Sequence, residues 1–145
     1  MVIKNSVREQ LRRNTVALIS LVVAITSLSY NTWRNEKSEE NRTQRLVAIE
    51  ILLKLGHLQQ LVYHNHYDGD VDDKGNPRTG WTLVLVMRDI SQILEAPLPA
   101  SAESLRAIWG ANWQALPDST AAKDAIEESI EMLRAETLVM LKALD

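Results

Sequence analysis

The chain contains no cysteine and no phenylalanine, and only five glycines and four prolines in 145 residues. The absence of cysteine excludes disulfides, thiolate metal sites and cysteine nucleophiles together, and leaves the redox compartment unmarked. No strong charge of one sign is present either. The formal net charge is −3, and the basic residues do not cluster with aromatics, so a nucleic-acid binder is not expected. The G-x-S-x-G elbow, the H-E-x-x-H zinc helix and the phosphate-binding G-x-x-x-x-G-K-[ST] loop are all missing. Nothing in the residues argues for catalysis or a cofactor.

What is there begins with an uneven charge distribution. Residues 1–13 hold Lys4, Arg8, Arg12 and Arg13 against Glu9, a balance of +3, whereas the rest of the chain carries −6. Between Arg13 and Arg34 lie twenty uncharged residues, NTVALISLVVAITSLSYNTW, without glycine or proline. As a helix this stretch covers about 30 Å, the depth of a bilayer's hydrocarbon core. Tyr30 and Trp33 stand at one end, where an aromatic belt belongs. A cleavable leader competes, with Ser27-Leu28-Ser29 as its small-x-small site. The full bilayer width and the use of Ser rather than Ala favour a retained span.

Orientation is nearly tied, with four basic residues on the N-terminal side and four within residues 34–45. Arg12 and Arg13 abut the span without an acid beside them, while Arg34 and Lys37 are interleaved with Glu36, Glu39 and Glu40. The reading is a cytoplasmic N-terminus with the main domain across the membrane, periplasmic in a Gram-negative host.

Beyond the span, residues 34–45 form a polar stalk with no helix breaker, predicted to run on as helix into the apolar-periodic segment 46–63. A loop rich in Asp and Gly follows, with Gly69, Gly75, Pro77 and Gly80. Residues 81–95 read as a helix burying Leu83, Val86, Met87, Ile90, Ile93 and Leu94 and ended by Pro97 and Pro99. The run Trp81–Met87 has strand character too, but no second strand exists to pair with it. Ser101 is the expected N-cap of a third helix whose face holds Leu105, Ile108, Trp109, Trp113 and Leu116. The last helix is predicted over about 119–144. The expectation is therefore an all-α protein: a basic N-terminus 1–13, a transmembrane helix 14–33, a helical stalk 34–45 and a small helical bundle 46–145.

Two helical seams point to association. Ala17, Ser20, Ala24, Ser27 and Asn31 step by three and four along the span, the close-approach stripe through which helices pair in lipid. Ile126, Ile130, Leu133, Thr137, Met140 and Leu144 do the same in the last helix, with coiled-coil spacing.

The histidines and aspartates are weaker signals. His64, His66 and Asp68 alternate, and an extended segment would turn all three to one side as metal ligands. Asp68, Asp70, Asp72 and Asp73 suggest calcium, but in neither register do the Gly and Glu of an EF-hand fall into place. Ordinary surface histidines and a solvated acidic loop are the plainer readings. Trp81, Trp109 and Trp113 read as core.

The block RRNTVALISLVVAITSLSYNTWRNE at 12–36, together with GNPRTGW at 75–81, resembles a group of small single-pass inner-membrane proteins of Proteobacteria that have no assigned function. The resemblance implies a bacterial inner membrane and carries no activity or substrate. In the GNPRTGW loop, Arg78 is the residue expected to pair with a carboxylate of the same protein or of a partner. Taken together, the sequence predicts a non-catalytic, membrane-anchored helical protein that works by association, as an accessory subunit or a homo-oligomeric scaffold. The competing prediction is a membrane-tethered sensor or a ligand- or metal-binding helical bundle.

Overall fold

The computed structural model describes residues 14–144. The basic segment 1–13 lies outside the described residues. Four helices follow in order: α1, Thr15–Tyr67; α2, Pro77–Ser91; α3, Leu98–Asn112; and α4, Thr120–Ala143. Among the described residues there is no strand. The run Trp81–Met87 is helical.

The chain divides into two compact units, residues 1–40 and 41–145. In the first, every described residue is exposed, and α1 is long and apolar enough there to cross a membrane. The second is the bundle. It takes in residues 41–45, which their polarity had assigned to the stalk. Gln44 is buried, and Arg45 donates to the backbone carbonyl of Leu144, so this end of α1 already belongs to the packed unit. Polarity alone did not mark this start of the bundle, because the Gln44 and Arg45 side chains are taken up by the bundle while Arg42 and Thr43 stay exposed.

The core face of α1 is a stripe of Ala48, Ile51, Leu55, Leu58 and Val62, spaced by three and four. Val84 and Met87 of α2, Leu98, Leu105 and Trp109 of α3, and Ile126, Ile130 and Leu133 of α4 complete one apolar cluster. Within it, α3 packs against both α2 and α4. Each buried Leu or Ile contributes about 1.5–3 kcal/mol relative to its exposed state.

Two predicted boundaries move, each for a local reason. Helix α2 starts at Pro77 rather than Trp81. The Asn76 side chain accepts the Arg78 N–H at 2.9 Å, and Pro77 at the first helical position loses no bond it would otherwise make. Its buried face runs through Gly80, Val84, Met87 and Ser91, while Ile93, expected inside, lies beyond the helix end and is 54% exposed. Helix α3 starts at Leu98 rather than beyond Ser101, with Pro97 and Pro99 opening the helix instead of ending the previous one. Helix α4 is as read, with Ser119 as N-cap accepting the Ala122 N–H at 3.2 Å.

Candidate functional site

Three features carry chemistry or exposed surface that the core does not use. The first is the apolar part of α1. Thr26 and Thr32 turn their hydroxyls back on the carbonyls of Val22 and Leu28, at 2.8 and 3.0 Å, which is how a helix in an apolar medium satisfies its own donors. Ala17, Ser20, Ala24, Ser27 and Asn31 lie on one exposed stripe. Ser20, Ser27 and Asn31 make no side-chain hydrogen bond among the described residues, so the stripe presents both small surface and unspent polar groups. The rings of Tyr30 and Trp33 lie 6.1 Å apart, tilted by 41°, and both are exposed.

The second seam has a different fate. Ile126, Ile130, Leu133 and Thr137 are fully buried, Met140 packs on the core and Leu144 is half-buried. The coiled-coil spacing of α4 is therefore spent against the chain's own α-helices, and an intermolecular role for this seam is corrected. A 3.5-residue repeat marks a helix with one buried stripe and does not say whose helices bury it. The sequence reading also missed a surface. Leu46, Ile49 and Leu53 of α1 step by three and four and are all exposed. Their spacing was visible, but only the position of the buried face separates them from the core residues of the same helix.

The third feature is a cleft of about 700 Å³ at the end of α1, lined by Gln60, Tyr63, His64, Tyr67, Asp68, Lys74 and Glu127. The Tyr63 and Tyr67 rings stand 5.9 Å apart, and Lys123 Nζ lies 5.8 Å from the Tyr67 ring centre. Lys123 is only 8% exposed and is paired with Asp124 at 2.8 Å and Glu127 at 2.9 Å. Hydrogen bonds to those two carboxylates raise its pKa above the ordinary value of 10.5, so it is a fixed cation. Glu127 also accepts from Gln59 Nε2 at 2.9 Å, which ties α1 to α4 across the cleft floor.

Around this cleft the histidines part company. Helix α1 continues through Tyr67, and residues two apart on a helix point about 200° apart in projection. His64 Nδ1 meets Asp68 Oδ2 at 2.7 Å, while His66 Nδ1 donates to the Leu116 carbonyl at 2.7 Å. The extended arrangement of His64, His66 and Asp68 thus does not form. Among the described residues no group of three His, Asp or Glu side chains comes together to hold a metal.

The acidic loop uses its polar groups on itself. Asp70 accepts the backbone N–H of Asp73 and of Lys74, both at 3.0 Å, and the first of these is the main cause that holds its carboxyl below the ordinary value of 3.8. Gly69 turns the chain at φ 65°, a left-handed conformation that favours glycine. A Cβ on Gly75 would stand 1.9 Å from the Asp70 carbonyl oxygen, and the Gly75 carbonyl accepts from the buried Asn65 side chain at 2.8 Å. The GNPRTGW segment is thereby accounted for residue by residue: close packing at Gly75, the cap at Asn76, the helix start at Pro77, and the Gly80–Trp81 contacts with α3. Arg78 is exposed, and among the described residues it makes no ion pair within the chain. Among the described residues no carboxylate takes the role expected for its partner in the same protein.

Comparison of the chain with protein-family models, curated proteins and solved structures finds no match.

Proposed function

We propose that this protein is a non-catalytic, single-pass component of a bacterial inner membrane that works by association, with its N-terminus cytoplasmic and its bundle periplasmic. One observation carries the reading. From residue 14 to residue 40 no described side chain is buried, although Val16 to Leu28 includes eight large apolar residues, each at least 44% exposed. Apolar surface of that extent needs an apolar surrounding, and a bilayer supplies it at the matching length. The belt pair Tyr30–Trp33 and the self-bonded Thr26 and Thr32 agree with that medium. The Ala17–Asn31 stripe supports a helix partner in lipid, and Leu46, Ile49 and Leu53 offer exposed apolar surface on the bundle.

The deciding experiment is the native mass of the full-length protein extracted from its own membrane in mild detergent, with identification of whatever accompanies it. A multiple of 16.4 kDa assigns a self-associating scaffold. Defined additional subunits assign an accessory component. A bare monomer overturns the association reading.

A further inference from the structure

The cleft at the end of α1 does not stop at Tyr63 and Tyr67. Gln60, His64 and Lys74 line both it and a second recess of about 290 Å³, so the two make one furrow between α1 and the start of α2. In the second recess His57, Gln60, Lys74 and Thr79 meet an apolar wall of Leu61 and Leu83, and no carboxylate lines it. Those four polar side chains are exposed, and none makes a hydrogen bond or ion pair among the described residues.

Lys74 decides the chemistry. Four aspartates stand in the six positions before it, yet it pairs with none of them. Asp68 is taken by His64, and Asp70 by the backbone N–H groups of Asp73 and Lys74. Asp72 and Asp73 do not line the furrow. On the far side Glu127 is held by Lys123 and Gln59. The acids of the furrow are spent on the fold, and its lysine is not. An ammonium, an imidazole, an amide and a hydroxyl within reach of solvent suit an anion with several acceptor oxygens, and a phosphate monoester has three. The other half of the furrow offers a different surface. The rings of Tyr63 and Tyr67 are 45% and 65% exposed, and such rings take a flat ligand by stacking.

We propose that the furrow binds a small soluble phosphate monoester carried on a flat ring, the phosphate at Lys74 with His57, Gln60 and Thr79, the ring against Tyr63 and Tyr67. The site lies in the bundle and rests neither on the membrane span nor on a helix partner, so its failure would leave the association reading standing.

The probe is phenyl phosphate, titrated calorimetrically into full-length protein in phosphatidylcholine nanodiscs, with empty nanodiscs as the blank. Butyl phosphate keeps the charge without the ring, and phenol keeps the ring without the charge. Phenyl phosphate is expected to give saturable heat and to bind about fivefold more tightly than butyl phosphate and about tenfold more tightly than phenol. Lys74→Gln should weaken both phosphates about tenfold, and Tyr63→Leu should remove the preference for phenyl over butyl. Arg78→Gln removes an exposed cation that does not line the furrow, and should change neither affinity. All three substitutions fall at exposed positions, so the melting temperature should match the parent's. No saturable heat, either control binding as tightly as phenyl phosphate, no loss from Lys74→Gln, an equal loss from Arg78→Gln, or a phenyl preference that survives Tyr63→Leu would each overturn the proposal.

Discussion

The indole of Trp109 occupies the space a side chain on Gly80 would need. A Cβ there would lie 2.1 Å from Trp109 Cζ2 and 2.4 Å from Cη2, and Trp109 itself is fully buried. Helices α2 and α3 thus approach through one missing side chain and one large ring. Gly80→Ala should destabilise the protein by about 2 kcal/mol, because overpacking a rigid ring outweighs the roughly 1 kcal/mol that alanine adds to a helix. Gly56→Ala is the control. It is also helical, but nothing lies within 4 Å of its Cβ, so it should stabilise by about 0.5–1 kcal/mol. Thermal unfolding of both variants, followed by far-ultraviolet circular dichroism, checks the opposite signs.

The stripe on the span makes a separate prediction. Ala24→Leu with Ser27→Leu replaces its small surface by bulk while keeping the span apolar. The native mass in mild detergent should fall, and the melting temperature of the bundle should stay put, since neither residue belongs to the bundle unit. An unchanged mass removes the stripe as the contact.

The same GNPRTGW segment contains a residue that matters for stability and one that does not. Asn76→Ala removes the cap on the Arg78 N–H and should cost about 1 kcal/mol. Arg78→Ala, at an exposed residue with no ion pair among the described residues, should stay within about 0.5 kcal/mol of the parent. Chemical denaturation distinguishes them, and a large loss from Arg78→Ala in stability of the isolated protein would contradict the structural reading of this loop.

Asp70 gives the acid limb of the pH profile a local cause. Its folded pKa is depressed, so its contribution to stability is fully present above the ordinary value of 3.8 and is lost as pH falls through the lower folded value. Nuclear magnetic resonance titration of the side-chain carboxyl should place Asp70 below 3.8, and Asp70→Asn should flatten the loss of stability in that window. A titration at or above 3.8 would contradict the double backbone contact.

Because the chain has no cysteine, one introduced thiol is a clean topology label. Ser38→Cys should react with a membrane-impermeant maleimide in cells with a permeabilised outer membrane. Ser6→Cys should react only after the inner membrane is opened. The reverse pattern inverts the proposed orientation.

Much of the architecture was legible because local chemistry and burial agree. Leu105 and Trp109, Ile126 and Ile130 are spaced for one face of a helix and are buried on it, and Ser119 caps where a Ser before a periodic run should. The failures share a cause. Asn76, Pro77, Pro97 and Pro99 are residues of loops and of helix first turns alike, and without neighbours in space a first turn reads as the end of whatever came before. The α4 seam was visible as a seam, but periodicity carries no information about which molecule covers it.

The core also has an order in time. Its first stripe, Ile51, Leu55 and Leu58, leaves the ribosome roughly seventy residues ahead of Ile126, Ile130 and Leu133, which close it. At ~5–20 residues per second, that is a wait of roughly 4–14 s before the core can close. A chain cut short before Thr120 would never end that wait. Premature termination upstream of α4 therefore leaves α1, α2 and α3 with the part of the shared core that Ile126, Ile130 and Leu133 cover still open, an apolar surface that favours aggregation.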